Sequence, residues 1–143
     1  MIELMLISMA VGVAQEIPAS TPSAISPELQ AKFEDFLRDP GTAQIKVTSE
    51  KSLSKSGSTE QVICGRYNAK NSYGGYVGFK DFAYRSSNRT LYTDGTAVRP
   101  SGIDSIDDII TQSPTTRAEL DVLSAKGDAI IAEVRSAFAL CAS

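Results

Sequence analysis

Between Asn68 and Lys80 the chain sets Asn68, Lys70, Asn71 and Lys80 among the rings of Tyr73 and Tyr76, with Arg66 and Tyr67 just ahead of them. Amide and cationic side chains interleaved with aromatic rings can make a recognition surface. The rings offer flat apolar faces, and the amides and ammonium groups offer directed hydrogen bonds. Single-stranded nucleic acids are bound this way, and sugars or anionic glycans are held by the same pairing of ring and donor. The same residue types also build structure: Asn and Gly form turns, Tyr fills a core, and Lys coats a solvent face. Asn68, Lys70, Asn71, Tyr73, Tyr76 and Lys80 are therefore the candidate ligand-binding residues, weighed against a purely structural use of the same stretch.

Other chemistries are narrowed by what the 143 residues contain. There is no histidine, which excludes His-based triads, His general bases and His metal ligands. Cys64 and Cys141 are the only cysteines, too few for a four-thiolate zinc site. Gly74-Gly75 lacks the following Lys-Ser or Lys-Thr and the helix start of a phosphate loop. Ser52 and Lys55 have Ser-x-x-Lys spacing, but in a polar stretch read as a turn rather than on a helix. Asp104, Asp107 and Asp108 lack the spacing of a calcium loop and read as solvated capping acids. No metal or cofactor is expected. The expected function is non-enzymatic binding or interaction. The alternatives are an enzyme acting on an envelope polymer and an inhibitor that presents a protruding loop to a partner enzyme.

The address of the protein is read from its first residues. Leu4 to Ala14 is an apolar run, and Gly12-Val13-Ala14 places small residues before Gln15. This is the pattern of a secretory signal peptide over residues 1–14, too short for an ordinary membrane span. Met1-Ile2-Glu3 departs from the pattern in carrying an acid and no Lys or Arg. An exported, periplasmic or secreted chain meets an oxidising compartment, so Cys64 and Cys141 are expected to form a disulfide. The alternative is a pair of buried thiols.

The elements that must position the candidate residues follow from periodicity. Residues 15–25 are rich in Pro, Ser, Thr and Ala and read as a flexible leader to a single domain over 26–143. Ser26-Pro27-Glu28 is a helix start, and Leu29, Phe33, Phe36 and Leu37 make one apolar stripe that ends at Asp39-Pro40-Gly41. The period then changes to two. Strands are expected at 43–50, 61–67, 76–84 and 90–93, with residues 51–60 as a polar turn around Gly57. Past Pro100 a short helix capped by Asp104 is expected. A long helix follows, opened by a capping box from Thr116 to Glu119, with Leu120, Leu123, Gly127, Ile130, Val134, Phe138 and Cys141 on one face. The expected fold is α+β: an N-terminal helix, a three- to four-stranded antiparallel sheet and C-terminal helices packed on one face. Charge divides along these elements. Residues 44–100 hold nine Lys or Arg against four acids, while residues 101–143 hold three against seven. A basic sheet among acidic helices results.

The run CGRYNAKNSYGGYVGFKDF, Cys64 to Phe82, resembles the signature of a group of small bacterial exported proteins of unknown function. In that group a Cys-Gly, an Asn-x-Lys-Asn, a Gly-Gly-Tyr and a Gly-Phe or Gly-Tyr recur. FLRDPGTAQIKV, Phe36 to Val47, resembles the helix-to-strand turn of the same group. The resemblance covers about fifty residues and implies an envelope or secreted address without a known activity. Partners expected on this reading are an envelope glycan or another exported protein. Nucleic acid is not expected, nor is a transmembrane segment once the signal is removed, and the oligomeric state is left open.

Overall fold

The computed structural model describes residues 25–142. The signal-peptide expectation, and the leader as far as residue 24, lie outside these residues. The elements run α1 (Pro27–Phe36), a single 3-10 turn (Pro40–Thr42), β1 (Gln44–Lys55), β2 (Ser58–Asn68), β3 (Lys80–Arg85), β4 (Thr90–Thr93), β5 (Thr96–Arg99), β6 (Gly102–Ser105), α2 (Ile106–Ile110) and α3 (Arg117–Ala142). The sheet is a six-stranded antiparallel meander in the order β1-β2-β3-β4-β5-β6.

Six strands replace the three or four expected because β5 and β6 follow β4, and β1 and β2 are longer than expected. β1 and β2 extend through the stretch expected to be a polar turn and meet in a two-residue connection, Ser56-Gly57, with both φ values positive (51° and 81°). That is the backbone of a tight hairpin, whose twist matches that of its strands. Its strand residues are polar because both faces of this end are largely open to solvent. β5 and β6 are four residues each and close over Pro100-Ser101, with Arg99 opposite Gly102. The third strand is also shorter than expected. It begins at Lys80, so residues 69–79 form a loop carrying a single bridge, Lys70 to Tyr76.

Both faces of the sheet are covered. On one face α1 sets Leu29 and Phe33 against Ile63, Tyr67, Phe82, Tyr84, Leu91 and Val98. Phe33 meets Phe82 edge-on at 5.1 Å and Tyr67 at 5.4 Å. Leu29 and Phe33 are fully buried, each worth about 1.5–3 kcal/mol of burial. On the other face α3 lays Ala137, Val134, Phe138 and Cys141 over Ala83, Tyr92 and Ala97. The N-terminal helix thus lies opposite the long C-terminal one.

Helix ends follow local chemistry. Ser26 Oγ accepts from Leu29 N–H at 3.3 Å. Thr116 and Glu119 form the expected reciprocal capping box: Glu119 N–H donates to Thr116 Oγ1 and Thr116 N–H to Glu119 Oε2. α2 is capped by Ser105 rather than Asp104. Asp104 instead accepts from Arg99, which also donates to Glu133 of α3 at 2.6 Å. Lys51 Nζ donates to the carbonyls of Leu140 and Cys141, placing a cation at the negative end of α3. The Cys64–Cys141 disulfide then ties β2 to the last turn of α3.

Candidate functional site

The connection from β2 to β3 would be a long, floppy span without internal bonds, because its glycines lower the barrier to disorder. Asn71 and Asn68 prevent that. The Asn71 side-chain oxygen accepts from Tyr73 N–H at 3.0 Å and Gly75 N–H at 3.1 Å. Its own N–H donates to the Gly75 carbonyl, and Gly74 N–H donates to the Asn71 carbonyl. Gly74 has a φ of 81° and Gly78 one of 100°, backbone conformations that favour glycine. At the base, Asn68 Oδ1 accepts from Gly78 N–H at 3.0 Å, and Val77 N–H donates to the Ala69 carbonyl.

The loop is also held from the side. Tyr76 Oη donates to the Thr42 carbonyl at 2.8 Å, and Arg38 donates to Ser72 Oγ at 3.1 Å. Lys70 Nζ lies 5.4 Å from the centre of the Tyr76 ring. The turn after α1 therefore buttresses the loop. Arg38 and Thr42 stand 34 residues from their partners, so no local spacing in the sequence marks them as part of the site.

The six candidate residues separate into two sets. Asn68 is buried, and Asn68 and Asn71 spend their side-chain oxygens on loop N–H groups. These two shape the site. Tyr76 is half-exposed, and Lys70 is half-buried beside it. Tyr73 is 96% exposed, and its side chain makes no hydrogen bond or ring contact among the described residues. Val77 is exposed close by in the chain, and Lys80 is exposed where β3 begins.

At the end of the loop, Phe79 is flanked by two cations. Lys46 Nζ is 4.6 Å and the Arg66 guanidinium 5.7 Å from the ring centre, an arrangement attractive by the ring quadrupole. Arg66 also pairs with Asp81 at 3.2 Å, with both side chains largely exposed, so that pair contributes little stability. The loop carries no acid between Ala69 and Lys80. Its chemistry is an aromatic tip with a cationic border.

Elsewhere, a groove of about 660 Å³ lies between the α2–α3 connection and the first turns of α3, and shares no residue with the loop. Among the described residues no three Cys, Asp or Glu converge as metal ligands. Ser52 and Lys55 lie on β1, where a spacing of three points side chains to opposite faces.

No family model matches the chain, and neither curated proteins nor solved structures give a match.

Proposed function

We propose that this protein is a small exported binding module that makes its contact through the loop at 69–79, without turning over what it binds. The observation that carries this reading is Tyr73: a large ring held almost wholly in solvent at the tip of a loop whose backbone is kept in place by Asn71 and by bonds to Arg38 and Thr42 in the turn after α1. A ring on a pre-ordered loop loses little entropy when it is covered, which is why Tyr is favoured at binding surfaces. The fold has no use for that ring.

Export is supported by the Cys64–Cys141 disulfide, a bond that persists in oxidising compartments. It is also supported by the apolar run at Leu4–Ala14. Among the described residues no helix is long and apolar enough to cross a membrane. The resemblance of Cys64–Phe82 to small exported bacterial proteins points the same way.

The test has two arms. Fractionation of producing cells, with mass measurement of the mature chain, should find the protein outside the cytoplasm, beginning at Gln15 and without free thiols. Co-sedimentation with the cell-envelope fraction should weaken for Tyr73→Ala at an unchanged melting temperature. Cytoplasmic protein with two free thiols would remove the export reading. Undiminished co-sedimentation of the variant would remove the loop from the contact.

A further inference from the structure

Resting on the loop as the contact surface, we infer the class of its partner: a second protein whose cleft is apolar at its floor and acidic at its rim, into which Tyr73 inserts. Three observations lead there.

The first is shape. Tyr73 is open on nearly all sides, so nothing among the described residues forms a wall beside it. A ring exposed to that degree is buried only by entering a concavity on the other molecule. Fully desolvated Tyr side chains seated in pockets are the residues that dominate protein interfaces.

The second is the state of the amides. Sugar recognition needs hydrogen-bonding groups beside the stacking ring. The Asn68 and Asn71 side-chain oxygens already accept from Gly78, Tyr73 and Gly75 N–H groups inside the loop. Their engagement leaves the tip with the Tyr73 ring rather than a set of acceptors aimed at hydroxyls. This separates a protein cleft from a glycan.

The third is charge. Lys70 lies in the loop, Arg38 is bonded to it through Ser72, and Lys80 follows it, with no acid between Ala69 and Lys80. Cations around an apolar anchor speed encounter with an acidic rim and disfavour partners of like charge. The rigid loop therefore acts as a finger and the partner supplies the pocket, as an enzyme cleft does.

The test places p-benzoylphenylalanine at position 73 of the full chain in producing cells, with the same group at Ser124 on α3 as a control, followed by irradiation. The expected result is one discrete protein adduct from position 73 and none from Ser124. Against the partner identified from that adduct, Tyr73→Ala should lower affinity by about thirtyfold or more, the loss typical of a central anchor. Tyr73→Phe should stay within about threefold, since the ring is what the pocket buries. Lys70→Glu and Lys80→Glu should each weaken binding and flatten its salt dependence. Melting temperatures control for folding.

An adduct whose added mass is removed by glycosidases would overturn the protein cleft and leave the binding loop standing. Equal crosslinking from 73 and Ser124, or none from 73, would overturn both. A partner whose affinity ignores Tyr73→Ala would overturn the insertion.

Discussion

Cys64 and Cys141 are bonded, so β2 and the last turn of α3 are one covalent unit although they stand 77 residues apart. The bond matters more here than it would on the other face. Between α1 and the sheet the buried side chains include Phe33, Phe82, Tyr84 and Leu91, whereas between α3 and the sheet the buried ones are Ala83, Ala97 and Ala137 with Tyr92, and Val134 and Phe138 are only partly covered. Small side chains bury less apolar area, so α3 depends more on its tether. A paired Cys64→Ser and Cys141→Ser change should lower unfolding free energy by about 4–5 kcal/mol on the chain-entropy argument. Hydrogen exchange of that variant should show α3 losing protection first. Simultaneous loss in α1 and α3 would contradict the unequal division of the core.

Gly65 lies under the Phe82 ring. A Cβ at that position would stand 2.7 Å from two ring atoms and would also collide with the Lys46 carbonyl. The ring cannot give way, since Phe33 packs on it edge-on. Gly65→Ala should therefore destabilise by about 1–3 kcal/mol or more, the range for overpacking a filled core. Urea titration measures it. A loss under about 0.5 kcal/mol, as at surface sites, would show that the strand can move away.

Gly127 is the opposite case. It lies inside α3, and a Cβ there would meet nothing within 4 Å. The sequence leaves open whether this glycine admits a close approach or weakens the helix; the open space decides for weakening. Gly127→Ala should stabilise the protein by about 0.5–1 kcal/mol, visible as a raised denaturation midpoint with an unchanged slope.

The alkaline limit of stability should trace to buried phenols. Burial, and then the Glu28 carboxylate to which it donates at 3.0 Å, push Tyr84 from 10.0 up to about 12. The folded chain keeps a proton that the unfolded chain sheds above about pH 10. This contribution to stability is complete below about pH 10, is lost as pH rises to about 12, and changes no further beyond that. Tyr84→Phe should lose the hydrogen bond at neutral pH yet show a shallower decline across the same window. Some slope should remain, because burial also raises Tyr67. Urea midpoints at a series of pH values decide; an unchanged slope would mean Tyr84 titrates normally.

What could be read from the sequence follows the range of the forces involved. The Ser26-Pro27 start, the Thr116–Glu119 box and the strand at Thr90–Thr93 are written in adjacent residues, and the structure places them as expected. β5 and β6 escape the pattern because Thr96–Arg99 and Gly102–Ser105 straddle Pro100 and Gly102, residues that mark a break, and Ile103 is the one large apolar residue of β6. The turn at Asp94-Gly95 joins β4 to β5, with Thr93 paired with Thr96 across it. The far end of the β1–β2 hairpin, residues 51–60, reads as a turn in the sequence because strand residues solvated on both faces carry no hydrophobic alternation. In the loop, Tyr73 and Lys70 were legible as unusual residues. The division between Asn71 as clamp and Tyr73 as tip depends on hydrogen bonds that composition does not express.

That division can be tested at the two residues themselves. Asn71→Ala removes the oxygen that gathers Tyr73 and Gly75 N–H groups, so both amides should exchange faster and the Tyr73 ring should sample more orientations. The strands below should keep their protection, because their ladder bonds are separate from the loop. Tyr73→Ala removes a side chain that makes no hydrogen bond or ring contact among the described residues and is 96% exposed, so loop exchange and melting temperature should both stay as they are. Binding should weaken in both variants for different reasons: Asn71→Ala through ordering entropy restored to the free state, and Tyr73→Ala through lost contact area. Calorimetry separates them, with a more unfavourable entropy for Asn71→Ala and a smaller negative heat-capacity change for Tyr73→Ala. Matching signatures in the two variants would mean that Asn71 contacts the partner directly, and its role as scaffold would have to be withdrawn.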